Sequence, residues 1–382
     1  MMKNNKFTEE MPIFRAGEGI AFDLLDLKVS LLYHGIHVDE AVYREFEATA
    51  RLTQRPSDYM ILGGQVACLI SRTNQQTPFR LILQDGRPVI TYNDVFLTEA
   101  GFHEKSSFHD QTTTGGVPFR KLGSILGWDE LIMACLWKCE IAQSGQACGF
   151  CHTGNYAYPE HSLSEMMDVI RYAFEISPQT KILKLTSGST FHPEHEIDRY
   201  VSILKAIDAT VGITKVPTFI YLTPPSDLKQ IDRLFEAGVS WVSCNMDIWD
   251  ERLFEKICPG KARITTRRRY IDALYYIAGK YGPNRACCPF VAGIEPVETL
   301  IEGATELAAH GVVPWISSLM PFASDKKTLA EFQPFSLDYY RTVRKEIAKL
   351  YQKHELVVPG TFGCSICMGR DIWLRRSALA AE

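Results

Sequence analysis

Residues 131–151 read LIMACLWKCEIAQSGQACGFC, an apolar run that leads directly into a loop with three cysteines. The apolar run predicts a buried strand, because the strands of parallel sheets are nearly continuous in apolar residues. The segment after the loop, residues 162–176, has the apolar spacing of an amphipathic helix. The stretch therefore begins a strand–helix alternation and places Cys139, Cys148 and Cys151 immediately after the first strand.

The same alternation recurs five more times along the chain. Apolar runs, each followed by a segment with helical spacing, occur at residues 181–187, 216–222, 239–247, 287–293 and 312–320. Six consecutive units favour a complete or partial TIM-type (β/α) barrel of parallel strands over an open sheet. In such barrels the chemistry lies on the loops after the strands. The cysteine loop is thus placed where a functional site is expected.

The first 120 residues follow a different pattern. Residues 21–35 and 38–52 have helical spacing of apolar positions. Residues 59–71 and 79–92 predict strands, and Asp85-Gly86 marks a turn within the second of these segments. The predicted organisation is an α+β accessory module over residues 1–120, a barrel core over 128–330, and a C-terminal helix with a Cys-x-x-Cys tail over 331–382 that closes the barrel.

Composition and charge narrow the class of protein. The 382 residues are 46% hydrophobic, and 41 basic against 45 acidic residues give a net charge of −4. This balance gives no reason to expect a nucleic-acid or membrane partner. We see no signal peptide and no apolar run of about 18 residues, so we expect a cytoplasmic protein. Eleven cysteines in such a chain favour metal binding or redox chemistry over a disulfide framework.

A set of three clustered cysteines indicates a particular kind of metal site. A closed structural zinc site or a simple electron-transfer cluster requires four protein ligands. Three thiolates on a [4Fe–4S] cluster leave one iron open to bind a substrate or cofactor, with Phe150 packed beside the bound group. Two alternatives stay open: Cys135 in place of Cys139 as the first ligand, and a zinc site built from these cysteines and His152.

On these residues the chain resembles the radical S-adenosylmethionine (SAM) superfamily, and within it the biotin synthase-like group. The resemblance implies that Cys139, Cys148 and Cys151 hold a [4Fe–4S] cluster whose open iron binds SAM. One electron, from a donor such as flavodoxin or ferredoxin, would cleave SAM to methionine and a 5′-deoxyadenosyl radical that abstracts hydrogen from a small or medium organic substrate. The loop departs from the usual spacing, because eight residues separate Cys139 from Cys148.

The resemblance also implies the residues that bind SAM. The second strand ends in a small-residue bend, and in the family such a bend holds the SAM amino group through its backbone, since a glycine permits close approach. The residues of the bend are Thr186, Ser187, Gly188 and Ser189.

On the fourth strand, Asn245 and Asp247 match residues that contact the SAM sulfonium region and ribose. Alternation along a strand puts the two side chains on one face. Either Arg267 or Arg268 matches the family's arginine for the SAM carboxylate, and the sequence does not choose between them.

Two departures limit the resemblance. The second, sulfur-donating cluster of biotin synthase is not expected, because Cys287 alone matches its ligands. The pair Cys364-x-x-Cys367 indicates a zinc half-site or a redox pair, which would allow a second metal or bring the tail over the barrel mouth. A rival interpretation is a non-catalytic iron–sulfur or zinc-binding scaffold protein.

Overall fold

A computed structural model describes eleven stretches of the chain: residues 11–17, 19–46, 59–70, 76–102, 107–126, 129–135, 139–151, 161–177, 180–321, 330–360 and 364–381. Within them, the main feature is a seven-stranded sheet that confirms the predicted strand–helix alternation. Its strands in chain order are β9 (Gly123–Leu126), β10 (Glu130–Ala134), β11 (Ile182–Thr186), β12 (Thr218–Tyr221), β13 (Trp241–Ser243), β14 (Ala286–Ala292) and β15 (Val313–Ser318).

The strands of this sheet lie side by side in sequence order. Each neighbouring pair from β10 to β15 is parallel, whereas β9, which we did not predict, pairs antiparallel with β10 at the edge. In the described residues no pairing joins β15 back to β9. The fold is therefore a mixed α/β structure with a partial, not a closed, barrel.

The predicted helices between the strands are confirmed. They are α5 (Leu163–Arg171), α6 (Pro193–Thr210), α7 (Asp232–Glu236), α10 (Arg267–Tyr281), α11 (Val297–Ala309) and α12 (Leu337–Lys353). Helix α5 begins where sequence chemistry predicts, because Ser162 and Glu165 cap each other's backbone N–H groups. No described helix is both long enough and apolar enough to cross a membrane.

Shorter helices complete the core and the C-terminus: α3 (Phe119–Leu122), α4 (Glu140–Gln143), α8 (Glu251–Ile257), α9 (Pro259–Ile264), α13 (Gly369–Leu374) and α14 (Arg376–Ala381). Of these, α4, α8 and α9 surround the cysteine loop. They were not predicted, because each spans only one or two turns and shows little periodicity.

The N-terminal residues form a second sheet and two helices. The elements are β1 (Phe14–Arg15), β2 (Ala21–Phe22), α1 (Leu24–His34), β3 (His37–Val38), α2 (Glu40–Phe46), β4 (Tyr59–Leu62), β5 (Val66–Leu69), β6 (Phe79–Gln84), β7 (Arg87–Tyr92) and β8 (Val95–Gly101). Strands β3 to β8 form one sheet in the order β3-β6-β7-β8-β4-β5. The turn at Asp85-Gly86 is confirmed.

One N-terminal prediction was wrong in detail. We expected a single strand over residues 59–71, and the structure instead shows the hairpin β4–β5. The chain reverses at Gly63 and Gly64, whose φ angles of 52° and 72° lie in the left-handed region that glycine enters at low cost. Apolar residues on both sides of the turn hid it in the sequence.

The C-terminal tail lies between the two sheets. Met368 N–H donates to Ile316 O at 2.8 Å, and Cys367 forms an antiparallel bridge with Ser317 of β15. On the other side, Leu69 N–H of β5 donates to Ser365 O at 3.0 Å. The tail therefore covers two sheet edges whose backbone groups would otherwise be unpaired.

A buried lysine fixes the tail in this position. Lys28 of α1 is fully buried, and its ammonium group donates to Cys364 O (2.5 Å), Cys367 O (2.7 Å) and the Asp371 carboxylate (2.7 Å). An ammonium group has three N–H donors, so all of them are used. Nearby, buried Arg344 of α12 pairs with carboxylates at the start of α1.

We predict that Lys28→Met lowers the free energy of unfolding by about 3–5 kcal/mol, because it removes the hydrogen-bonded cation of the buried Asp371 carboxylate and leaves the longer contact with Arg375, at 3.8 Å. Urea denaturation of the apo-protein measures the change. Lys349→Met is the matched control, because Lys349 pairs with Glu346 in an exposed ion pair, and it should change the free energy by less than about 1 kcal/mol. Equal, small effects of both variants would contradict the role given to Lys28.

Candidate active site

A cavity of about 350 Å³ opens at the carboxyl ends of β10 to β13. Most of the predicted site residues line it together: Cys139, Cys148, Phe150, Cys151, Thr186, Ser187, Gly188, Ser189, Asn245 and Asp247. The chain thus brings into one cavity residues that are more than 100 positions apart in sequence, at the end of the sheet where such barrels carry their sites.

The cysteine loop is held from both sides by backbone hydrogen bonds. Glu140 N–H, next to Cys139, donates to Ser189 O of the bend at 3.0 Å. Gly149 N–H donates to Ile257 O at the end of α8 at 2.8 Å, and Cys151 N–H donates to Cys148 O at 3.0 Å. The loop is therefore ordered between the bend after β11 and the helices after β13.

Two glycines allow this close packing. A Cβ atom on Gly188 would overlap with the Cα atom of Cys139, and one on Gly260 would lie 2.6 Å from Gln146 O. No side chain fits at such distances, so the bend and the start of α9 approach the cysteine loop through bare backbone.

The thiols of the loop differ in their surroundings. Burial raises the pKa of Cys139. The pKa of Cys148 is lowered, chiefly because the buried Cys258 thiol donates a hydrogen bond to its sulfur. Cys135, the alternative first ligand, is buried in the strand-end region and does not line the cavity, and burial raises its pKa. His152, the alternative zinc ligand, lies outside the described residues.

Asp247 occupies a strained position beside the loop. Its φ of 72° is unusual for a residue other than glycine. Hydrogen bonds to β14 hold it there: Asp247 N–H donates to Pro289 O (3.1 Å), and Val291 N–H donates to Asp247 O (3.0 Å). Such strain is maintained where surrounding structure fixes the backbone, as it often does at functional sites.

A cation that we did not predict pairs with this carboxylate. Lys261 of α9 contacts Asp247 Oδ2 and donates to Asn245 O at 2.7 Å, and it lines the cavity. Burial alone would lower the pKa of Lys261, but the Asp247 carboxylate raises it well above its usual value. The ammonium group therefore stays charged. The signal in the sequence was the segment Cys258-Pro-Gly-Lys261, which places a lysine in the first turn of a helix after the fourth strand.

The predicted arginines do not line this cavity. Arg267 packs its guanidinium 4.1 Å from the centre of the Trp249 ring and donates to Trp249 O. Arg268 forms an exposed ion pair with Asp272 on α10. Thr266 caps α10, so both arginines lie in the first helical turn on the outside of the barrel, and neither lines the cavity.

The bend after β11 rests on a buried carboxylate that sequence reasoning also missed. Glu196 of α6 accepts a hydrogen bond from the Ser187 hydroxyl and another from Thr223 N–H at 3.1 Å. Burial raises its pKa to about 7. Tyr200 donates to Ser187 Oγ at 3.0 Å. Glu196 and Tyr200 therefore fix the side chain of Ser187. The sequence did not predict this role, because a glutamate near the start of a helix is common.

A second cavity of about 310 Å³ adjoins the first. Residues such as Phe150, Asn245 and Asp247 line both cavities. Residues that line the second cavity but not the first include aromatic side chains, serines and the tail, namely Phe219, Trp315, Ser317, Ser318, Ile366 and Cys367. The Ser318 hydroxyl is buried and has no hydrogen-bond partner within the described structure, which suits a cavity that receives a polar group of a ligand.

The donor set at the first cavity is three cysteine thiols, which are the ligands of iron–sulfur clusters. Across the described residues, no three His, Cys, Asp or Glu side chains surround one point where a single metal ion would bind. Among the residues that the structure describes, no third ligand lies beside Cys364 and Cys367, so the structure gives no support for a second metal there.

Comparisons with known proteins agree with this geometry. Residues 145–300 match the family model of the radical SAM superfamily. Over 135 residues the chain is 24% identical to bacteriochlorophyllide c C-7(1)-hydroxylase of Chlorobaculum limnaeum. The aligned region is 35% of this chain and 33% of the hydroxylase. The chain thus spans about a third of the length of this curated relative.

Solved structures with a similar arrangement share little sequence. HydG, a maturase of the [FeFe]-hydrogenase, aligns with a TM-score of 0.46 at 13% identity, over 63% of this chain and 57% of its own. A radical SAM methyltransferase from Sphaerobacter thermophilus aligns with a TM-score of 0.45 at 12% identity, over 78% of this chain and 83% of the methyltransferase chain.

The fold and the site define the class first: a parallel α/β partial barrel with a cysteine-lined cavity at its strand ends. Within that class, the matched residues point to one superfamily. Residues 145–300, less than half of the chain, are similar to the radical SAM family model. The matched range includes Cys148, Cys151, Asn245 and Asp247 and begins after Cys139. Membership of the biotin synthase-like group stays a prediction.

We predict that Gly188→Ala abolishes most cluster assembly, because the added methyl group would displace Cys139. Iron content after anaerobic reconstitution measures the loss. Gly279→Ala is the matched control: a Cβ there meets nothing within 4 Å, so iron content should be unchanged and the helix slightly more stable, by about 0.5–1 kcal/mol. Full iron content in Gly188→Ala would contradict the role of the bend.

Proposed function

We propose that the protein is a radical SAM enzyme. In this proposal Cys139, Cys148 and Cys151 bind a [4Fe–4S] cluster, and the remaining iron binds SAM. The cluster, once reduced, supplies the electron that cleaves SAM to methionine and a 5′-deoxyadenosyl radical. The observation that carries the proposal is that the three thiols, the close-packed bend at Gly188 and the strained Asp247 face one cavity.

The residues around the first cavity suit the groups of SAM. The bend from Thr186 to Ser189 lines the cavity and would offer backbone carbonyls to an amino group, and Glu196 holds Ser187 in place. Asp247 offers a carboxylate to the ribose hydroxyls. Lys261 supplies the buried positive charge that we had assigned to an arginine. It neutralises Asp247 and favours an anionic group near the cluster.

The second cavity is the proposed substrate site. Its aromatic walls favour a small or medium, largely apolar organic molecule, and the Ser318 hydroxyl is available for one polar group of that molecule. The shared wall of Phe150, Asn245 and Asp247 places such a molecule beside SAM. This adjacency is what hydrogen abstraction by a carbon radical requires.

The proposal also includes an electron donor and a cellular setting. An external donor such as flavodoxin or ferredoxin would reduce the cluster. All eleven cysteines are free thiols in the structure, which suits a reducing compartment, and we propose the cytoplasm.

The rival interpretation is a scaffold with a purely structural metal centre. A structural centre closes its coordination with four protein ligands, whereas here three thiols face a cavity of about 350 Å³. The fourth nearby cysteine, Cys258, lies behind Cys148 and donates to it, away from the cavity. An open coordination position serves binding and chemistry more than stability.

The deciding experiment is anaerobic reconstitution followed by reaction with dithionite and SAM. We expect about four irons per chain, a spectral change on adding SAM, and formation of 5′-deoxyadenosine. Single Ala variants of Cys139, Cys148 and Cys151 should each lose SAM cleavage, whereas Cys135→Ala, the matched control inside the strand region, should keep it. Zinc without iron in the purified protein, or activity that depends on Cys135 and not on Cys139, would overturn the assignment.

A second variant tests the SAM site apart from the cluster. We predict that Asp247→Asn weakens SAM binding about 10- to 100-fold, because a charge-assisted hydrogen bond is worth about 1.5–3 kcal/mol, while iron content stays the same. The SAM-dependent spectral change gives the affinity. Asp250→Asn is the control, since Asp250 caps α8 outside the cavity and Asn caps equally well. Unchanged affinity in Asp247→Asn would remove this residue from the SAM site.

A further inference from the structure

The pair Cys364 and Cys367 has no part in the function proposed so far, yet the tail brings it to the substrate cavity. Cys367 lines the second cavity beside Ile366. The antiparallel bridge to Ser317 and the hydrogen bond from Met368 N–H to Ile316 O (2.8 Å) fix its backbone. A thiol therefore faces the space next to the proposed SAM site.

The two thiols act on each other. The Cys364 thiol donates to the sulfur of Cys367, which also lies 3.5 Å from Ser317 Oγ. This hydrogen bond lowers the pKa of Cys367 to about 6 and raises the pKa of Cys364, so that the pair holds one proton between two sulfurs near pH 7. Lys184, buried nearby in the barrel, also favours the negative charge on the pair.

The position of the pair is rigid. Lys28 donates to the carbonyl groups of both cysteines. Across the described part of the chain, no third metal-binding side chain joins the two sulfurs at one point. The backbone of the pair is thus fixed by hydrogen bonds from Lys28. The two thiols share a hydrogen bond, as the cysteines of redox pairs do, and lack the further ligands of a metal site.

We propose that Cys364 and Cys367 form a redox pair that gives a hydrogen atom to carbon radicals in the substrate cavity, through the cavity-facing sulfur of Cys367. This inference rests on the proposed radical SAM function. A sulfur–hydrogen bond is weaker than the carbon–hydrogen bonds of most organic molecules, so a carbon radical beside a thiol takes its hydrogen.

The step balances within the pair. The shared proton first moves across the hydrogen bond from the sulfur of Cys364 to that of Cys367. The S–H bond of Cys367 then breaks homolytically and a C–H bond forms on the radical. The resulting thiyl radical bonds to the thiolate of Cys364, which gives a disulfide radical anion. The anion passes one electron to a one-electron acceptor, a role that the iron–sulfur cluster, when bound and oxidised, would fill, and a disulfide remains. The proton shared by the pair leaves in the transferred hydrogen atom, and no other proton is released.

The test uses SAM alone, without a substrate, in D₂O. The thiol then carries deuterium from the solvent, and the radical in the cavity is the 5′-deoxyadenosyl radical itself. The reconstituted full-length enzyme is reduced with flavodoxin in the absence of added thiols, and 5′-deoxyadenosine is examined by mass spectrometry. We expect deuterium in the wild-type product, and one disulfide between residues 364 and 367 per labelled molecule by peptide mapping after acid quench.

Variants separate the two cysteines. Cys367→Ala should reduce the deuterated fraction of the product at least tenfold, whereas Cys364→Ala should keep the label but form no disulfide. Cys244→Ala is the matched control, because Cys244 is fully buried and lines neither cavity, and its product should be labelled as in the wild type. The labelled fraction is a ratio, so it does not depend on how much 5′-deoxyadenosine each variant forms.

The outcomes distinguish the two proposals. Unlabelled 5′-deoxyadenosine from the wild type, or equal labelling in Cys367→Ala, overturns the role of the pair and leaves the radical SAM assignment intact. No 5′-deoxyadenosine from the wild type overturns the proposed function and, with it, this inference.

Discussion

The hydrogen bonds of the Lys28 ammonium group hold the C-terminal tail in place, and the tail forms one wall of the second cavity. It is fully buried in the first helix, and its three acceptors all come from the C-terminal tail. A charge removed from water in this way is tolerated only when it is paired and hydrogen-bonded. Its acceptors are separated from it by more than 300 residues in sequence. These hydrogen bonds therefore connect the first helix to the C-terminal tail.

Through these hydrogen bonds the N-terminal residues help to hold the C-terminal tail in place. Strand β5 of the N-terminal sheet and strand β15 of the main sheet are both edge strands, and the tail pairs with each of them. An exposed edge invites pairing with other chains, and here one segment covers two edges at once. Because the tail also lines the second cavity, the N-terminal sheet helps to position one wall of that cavity through the tail.

How much could be predicted from the sequence depended on how local each cause was. The six parallel strands and their helices were predicted because apolar periodicity is a property of each segment by itself. The cysteines and the bend at Gly188 were found through a resemblance that names residues in short motifs. Lys261 was missed because its significance comes from Asp247, which an unusual φ and two hydrogen bonds to β14 turn toward it. The two arginines were chosen from a short motif, whereas the N-cap at Thr266 puts both in the first turn of α10, away from the cavity.

The same reasoning explains why the two cavities belong together. A carbon radical must be formed beside the bond it attacks and away from water, because side reactions compete with abstraction. The chain achieves this adjacency with a common wall, in which Phe150, Asn245 and Asp247 face both spaces. The bend packs closely against the cysteine loop on one side, and the tail lines the second cavity on the other. These contacts fix two walls of the cavities, so the partial barrel supplies the adjacent spaces that the proposed chemistry needs.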